Sequence, residues 1–478
     1  MTASVFEDHD ALGLAELVRA GEVTPTELLD EAFARVNAVD RQFGVLADRY
    51  EAYARGQLRD GLPTGTFTGV PYLRKDCKCE IAGLSATEGT RLLTDRVADT
   101  TSVVAQRFLE AGVVMIGATA VPPLSSSFDA ESSRTGPCRN PWDPSRTSGG
   151  SSAGAAVLVG TGALPMAHGN DGGGSLRIPA AWCGAFTVKP SRGRVPNGPV
   201  YTEDWLGFAT EGVITRSVRD CAAMLDVIAG PETGGRYVAP PPRRSYLSET
   251  QQPAASLRIA MLERDHYGAD FDPEYLSAMH RTAELLTSLG HEVDAAPSPE
   301  FDIDELSRQI FVTVAVDTLR FLDAIGEERG RPVDDDEVEA VPAAFRAHGR
   351  SVTGVQYART NDLSMETAYA WDQYMGSYDL VLSPTLTKPP PLVGEIHRHA
   401  ENLEAYRHDL TEYLNLTMVQ NVTGQPAMSV PLWHSRAGLP IGMMLVARYG
   451  DESTLFSLAA QLEEAQPWWD VRPTVASA

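Results

Sequence analysis

The first clear periodicity in the chain is helical. Thr24-Pro25-Thr26-Glu27 places a capping Thr before Pro at the first helical position and Glu at the third. Leu28, Leu29, Phe33 and Val36 then recur at helical spacing. From about residue 66 to 230 the texture changes: short apolar runs such as Val113-Val114-Met115-Ile116 alternate with helix-like stretches and glycine clusters. That alternation predicts helices packed on a parallel or mixed sheet. A proline-rich connection from Ala239 to Pro253 follows, then a strand over Leu257–Leu262 and a helix from Pro273 to Leu289 ending at Gly290. Residues 300–375 read as helical and acidic. Strands are predicted again in Tyr378–Pro384 and Pro426–Pro431, and a closing helix from Glu452 to Glu464.

The pattern gives one α/β domain over 1–478 rather than independent modules. N-terminal helices fill 1–65, a core spans 66–235, a mostly helical insertion spans 240–375, and the rest of the core follows in 376–478. A chain of 478 residues with 43% hydrophobic content can bury a sizeable core. Its formal net charge of -24 repels phosphate and anionic lipid, so no nucleic acid or membrane partner is expected. No apolar stretch reaches a membrane span, and acidic residues stand near the start where a signal peptide carries basic ones. A cytoplasmic location is therefore expected, as a monomer or homodimer. The five cysteines (77, 79, 138, 183 and 221) lack zinc-site spacing and read as free thiols.

Lysine stands only at 75, 78, 189 and 388 among 40 basic residues. Arginine cannot give up its proton at working pH, whereas a buried lysine can. A lysine kept in such a chain is thus a candidate base. Lys78 and Lys388 lack supporting motifs and read as solvated; Lys189 reads as structural.

The densest chemical signal is Gly149-Gly-Ser151-Ser152-Ala-Gly154 followed by His168-Gly-Asn170-Asp171-Gly172-Gly173-Gly174-Ser175-Leu-Arg177-Ile-Pro179. Three glycines before a serine let successive N–H groups converge beside a hydroxyl, which suits acyl transfer. Gly150–Gly154 also matches G-x-S-x-G, with Ser152 as nucleophile, but no apolar strand precedes it.

These two segments resemble the GGSSGG stretch and the nucleophile loop of the amidase signature family. Gly69-Val-Pro-Tyr-Leu-Arg-Lys75-Asp76 resembles its G-[IV]-P-x-x-x-K-D segment, and Val188-Lys189-Pro190-Ser-Arg-Gly193-Arg194 its K-P-T-x-G-R. Asn421–Pro431 and Gly438–Gly442 extend the likeness towards the C-terminus. Within the family the chain most resembles bacterial 6-aminohexanoate cyclic-dimer hydrolases, through His168–Asp171 and Gln466-Pro-Trp468.

The resemblance implies a central mixed, twisted sheet covered by helices on both faces. It implies a serine amidohydrolase with Ser175 as nucleophile and Ser151, after a cis peptide bond, relaying protons to Lys75. Gly172, Gly173, Gly174 and Ser175 are expected to supply oxyanion N–H groups, and Asp171, Ser152 and Arg177 to shape their loop. Asp76 either orients the base or caps a turn. Ser125, Ser127 and Phe128 lie where family members line the acyl pocket, and Tyr201, Trp205 and Phe208 form an aromatic cluster suited to apolar or aromatic groups.

The relay needs no cofactor or metal, and none is expected. Substrates are small amides or carbamates: lactam, oligoamide, anilide or urethane. The alternative is the amide-cleaving component of an amidotransferase, working in a complex on tRNA-bound substrate. The sequence departs from the family pattern at Asn170, Gly172, Ala153 and Ser191, and Gly172 predicts a looser oxyanion loop.

Overall fold

The computed structural model describes residues 4–201 and 203–475. Its centre is an eight-stranded mixed sheet built from β6 (Met166–Asp171), β7 (Phe186–Lys189), β8 (Thr210–Thr215), β9 (Arg258–Leu262), β10 (Glu292–Ala296), β11 (Leu380–Pro384), β12 (Ala427–His434) and β13 (Pro440–Ala447). The strand order is β10-β9-β11-β13-β12-β7-β8-β6. Both neighbours of β9 run parallel to it, and every other pair is antiparallel. Beside it stands a three-stranded sheet, β1 (Leu46–Arg49), β3 (Val114–Thr119) and β2 (Pro71–Lys75), with β3 in the middle. A two-residue ladder joins β4 (Glu131–Ser132) to β5 (Gly136–Pro137).

Helices flank the large sheet. The N-terminal helix Pro25–Phe43 begins with the capping box read from Thr24 and Glu27, both reciprocal bonds being present. The helix Ala153–Gly160 is buried along its whole length, consistent with a run of Ala, Val and Leu that has no polar face. The helix Arg177–Cys183 packs on β7, β12 and β13 and points its N-terminus at the glycine loop. Among the described residues, no helix is long and apolar enough to cross a membrane.

The region read as a helical insertion divides in two. Its first part belongs to the sheet, because β9 lies between β10 and β11. Ile259 and Ala260 are fully buried there, and β10, polar and mostly exposed, forms the edge. The helix Pro273–Ser288 connects β9 to β10, and the second part is made of the helices Ile303–Arg329, Ala340–Gly349 and Gly354–Met375. The edge strand was not legible as a strand, because Glu292–Ala296 lacks an apolar run. One hydrophobic cluster runs from Phe6 to Trp468 and takes in these helices through Ile310, Phe311 and Phe345.

Candidate active site

Lys75 is the last residue of β2, in a strand whose five residues are all buried. Its side chain has no exposure. Burial pushes its ammonium below the ordinary lysine value, with Glu211 and Asp171 among the groups pulling the other way. The Lys75 Nζ lies 2.7 Å from Ser151 Oγ and donates to Asn170 Oδ1 at 2.5 Å. Ser151 is buried and follows a cis Gly150–Ser151 peptide bond.

Lys75 is also held from behind. Its backbone N–H donates to His168 Nδ1 at 3.0 Å. That nitrogen therefore carries a lone pair, the ring is the Nε2–H tautomer, and Nε2 donates to Glu211 Oε2 at 2.7 Å. The other oxygen of Glu211 accepts from Asn170 Nδ2 at 3.4 Å. Lys75, Asn170, Glu211 and His168 thus close a ring of hydrogen bonds. His168, Asn170 and Glu211 meet across β6 and β8, where Asn170 pairs directly with Glu211. Glu211 had no signal in the sequence, since only this register brings it to Lys75.

The glycine loop before Ser175 runs from the end of β6 into the helix Arg177–Cys183. Asp171 organises it, accepting from the N–H groups of Gly174 (2.7 Å), Leu176 (3.2 Å) and Arg177 (3.4 Å). The Arg177 guanidinium grips both its oxygens, at 2.9 and 3.0 Å, and reaches Asn421 Oδ1 and the Thr417 carbonyl. Burial alone would raise the Asp171 carboxyl, but Arg177, with Lys189 and Asn421, holds it at about 2. Asp171 and Arg177 are fully buried, so this pair is satisfied at every side rather than left to solvent.

Gly174 lies at φ 131°, and a Cβ there would come within 2.5 Å of Thr417 Oγ1. Only glycine fits. Its N–H is committed to Asp171, which corrects its expected part in the oxyanion hole: the loop closes on itself through that bond. Among the described residues the N–H groups of Gly172, Gly173 and Ser175 have no hydrogen-bonded partner.

Ser152 is buried; it donates to the Asn170 carbonyl at 3.1 Å and accepts from the Asn170 N–H. It braces the loop, and its hydroxyl does not line the cavity where a G-x-S-x-G nucleophile would stand. Asp76 accepts from Gly89 N–H and Thr87 and pairs with Arg74 at 3.4 Å, so it fastens the turn at 87–89. Lys189 is buried and donates to the Pro190 carbonyl, with burial lowering it to about 7.

Ser175 lines a cavity together with Gly173. Ser125, Ser127, Phe128 and Trp205 also line it, as expected. The rest of the wall is carbon: Ile178, Ile310, Phe311, Val314, Phe345, Leu410, Leu414 and Met418, with Ser126 and Thr411 as polar members. Residues 310–345 and 410–418 carried no motif and were missed. Helical spacing alone does not tell a cavity wall from ordinary core.

Two aromatic expectations need correction. Tyr201 does not line this cavity; its ring lies 4.1 Å from Lys78 Nζ, and its hydroxyl donates to Glu80 at 3.3 Å. Phe208 packs against the Arg192 guanidinium. Left-handed backbone at Trp205 and Leu206 separates the three rings. Lys78 is correspondingly not solvated: its side chain is 17% exposed and pairs with Asp204 at 3.3 Å. Lys388, by contrast, is half-buried beside Glu412 and Tyr413. Gly172 does not leave a loose loop either. A Cβ there would meet the Trp205 ring at 2.7 Å, so the indole occupies the space a larger residue would fill.

Comparisons with known proteins agree with this geometry. A family model described as Amidase matches residues 27–456. The chain is 37% identical to a 6-aminohexanoate-cyclic-dimer hydrolase of Paenarthrobacter ureafaciens, over 97% of this chain and 96% of that one. It is 36% identical to a putative amidase AmiC of Mycobacterium tuberculosis, over 96% and 95%. A solved structure of 6-aminohexanoate cyclic dimer hydrolase complexed with substrate superposes with a TM-score of 0.94 at 35% identity, covering 99% of this chain and 100% of that one. A bacterial aryl acylamidase of the amidase signature family shares the fold, with a TM-score of 0.87 at 24% identity over 98% and 99%. With a mixed sheet of this order, a buried Lys75–Ser151 pair and a glycine loop before Ser175, the chain belongs to the amidase signature family and is an amidase, a hydrolase of amide bonds.

Proposed function

We propose that the protein hydrolyses small, neutral amides carrying an apolar or aromatic group, through an acyl-enzyme on Ser175. Three observations support this reading: Ser175 faces a carbon-lined cavity, its carbonyl accepts from the Ser152 N–H at 3.2 Å, and the neighbouring Ser151 is hydrogen-bonded to buried Lys75. Neutral Lys75 keeps one N–H on Asn170 and turns its lone pair to the Ser151 hydroxyl. Ser151 passes its proton to Lys75 while taking the proton of Ser175, whose Oγ attacks the amide carbon. The oxyanion falls among the N–H groups of Gly172, Gly173 and Ser175. Ser151 then returns a proton to the leaving amine as the C–N bond breaks. Water repeats the sequence on the ester, releasing the acid and free Ser175.

The wall selects substrate by desolvation. A charged carboxylate or ammonium placed among Ile310, Phe311, Val314 and Phe345 has no partner of opposite sign there and loses its hydration. Neutral amides whose flanking groups are carbon fit best. The names of the relatives make a cyclic oligoamide a natural candidate beside simple anilides; urethanes differ only in the atom flanking the carbonyl.

The test is turnover of a nitroanilide, a nitrophenyl carbamate and the 6-aminohexanoate cyclic dimer by wild type and Ser175→Ala. Turnover of at least one by wild type, abolished in the variant, is the expected result. Equal rates for the two proteins on every amide would remove Ser175 from the mechanism.

A further inference from the structure

A second polar cluster lies behind the cavity wall and takes no part in the relay. Lys78, at φ 62°, pairs with Asp204 at 3.3 Å, lies over the rings of Tyr201 and Phe321, and donates its backbone N–H to Glu88 at 3.1 Å. Asp317, on the helix Ile303–Arg329, accepts from the Trp205 N–H at 2.8 Å. A small cavity lined by Lys78, Glu88, Asp317, Phe321 and Trp205 lies on this side. Trp205 lines the catalytic cavity as well. It is the partition between the two.

The partition is held in an unfavourable backbone. Trp205 and Leu206 are both left-handed, at φ 49° and 55°, a conformation that brings the Cβ of a non-glycine residue too close to its own backbone. Such a turn persists only where its surroundings fix it. Here they do: Lys78 on Asp204, Asp317 on the Trp205 N–H, Arg192 Nε donating to the Gly207 carbonyl at 2.9 Å and Asn421 Nδ2 to that of Phe208 at 3.0 Å. Asp204 and Asp317 repel each other; Arg320, 3.1 Å from Asp317, and Lys78, paired with Asp204, offset that repulsion. Without the Lys78 charge Asp204 loses that ion pair while Asp317 keeps Arg320, and the turn is expected to shift away from the insertion helix, carrying the indole off Gly172.

We propose that Lys78 is a positioning residue. Through Asp204, and with Asp317, it locks Trp205 against the Gly172 side of the nucleophile loop, and so sets the size of group admitted beside Ser175. The assignment rests on the proposed amidase reading for its kinetic arm only.

Lys78→Met keeps the length of the side chain and removes its charge; Lys78→Arg keeps the charge. Against a short-chain and a bulky aryl nitroanilide, Lys78→Met is expected to change the ratio of kcat/KM values at least about fivefold in favour of the bulky substrate. The change falls on KM more than on kcat, and Lys78→Arg restores most of the wild-type ratio. Acrylamide quenching gives a second readout that needs no turnover. The Trp205 contribution, taken as the difference between each protein and its Trp205→Phe counterpart, should be more accessible in Lys78→Met than in wild type or Lys78→Arg. Should Lys78→Met not fold, Asp204→Asn is read in the same two assays. Wild-type quenching and wild-type selectivity in the charge-removing variant overturn the assignment. If no amide is turned over by any of these proteins, the amidase reading fails, and the quenching difference still decides the clamp.

Discussion

On one face of the site Lys75 bonds to Ser151 and, separately, belongs to a closed ring of hydrogen bonds through Asn170, Glu211 and His168. On the other, residues 310–345 and 410–418 offer a wall that is nearly all carbon. The two faces obey different rules. In the first, each group has a defined partner, and removing one strands another in a low-dielectric interior. In the second, contacts are non-directional, and a change of shape costs volume rather than a bond. On the proposed function, chemistry and selectivity fall to different stretches of chain, and substitutions on the two faces should be separable in kinetics.

The largest effect is expected from Lys75→Ala. Loss of the base of an activated serine should lower kcat by about 10³- to 10⁴-fold. A single His→Ala change elsewhere should do far less. His168→Ala is the informative case, because its ring supports the Lys75 backbone without touching Nζ. If it matched Lys75→Ala, the lysine relay would be the wrong description.

Asp171→Asn comes next and is read in stability. The buried Arg177 guanidinium would lose its counter-charge, at a cost of about 3 to 5 kcal/mol. The pH dependence has a definite sign. The folded carboxyl sits at about 2, below its ordinary 3.8. Its contribution is therefore complete above pH 3.8 and lost as pH falls through 2. The stability gap between wild type and variant, measured by urea unfolding, should narrow over that window. A gap independent of pH would mean that the loss is one of shape rather than charge.

Much of the polar face was legible because it is local. Glycine runs, a scarce lysine inside a recognisable motif and closely spaced serines can be read from short stretches of chain. Lys75, Ser151, Ser175, Asp171 and Arg177 all stand in such segments. Glu211 does not: it is one acidic residue in a strand, and its value depends on the β6–β8 register. The carbon face was illegible for a related reason. Ile310, Phe311 and Val314 satisfy helical periodicity whether they face a core or a cavity. The sheet was readable at β9, β11 and β12, where apolar runs are continuous, and unreadable at the edge strand β10, which is polar. Tyr201 and Trp205 show the limit most plainly. They stand four positions apart, yet only Trp205 lines the catalytic cavity, while Tyr201 lies against Lys78, and the backbone at Trp205 and Leu206 is left-handed.

The carbon face can be tested alone with Leu414→Ala. Leu414 is half-buried at the cavity, so truncation removes substrate contact without emptying the core. KM for an apolar anilide should rise about tenfold, with kcat changed no more than about threefold. An equal fall in kcat would show that the wall also orients the scissile bond, and the division between the faces would blur.

The smallest expected effect is the one that most sharpens the polar face. Glu211 is within reach of both Asn170 and His168, and its negative charge favours the protonated form of Lys75. Glu211→Gln removes the charge while keeping an acceptor for His168 Nε2. The proposed relay requires neutral Lys75, so kcat/KM should rise with pH as the ammonium loses its proton. Removing a nearby negative charge lowers the lysine further, and the rising limb of the profile should move to lower pH with a similar plateau. A limb that moves to higher pH, or one that does not move while the plateau is kept, would mean that the titrating group is not Lys75. A plateau that collapses with no shift would assign Glu211 to holding Asn170 and His168 in place, and its charge would then be incidental to the base.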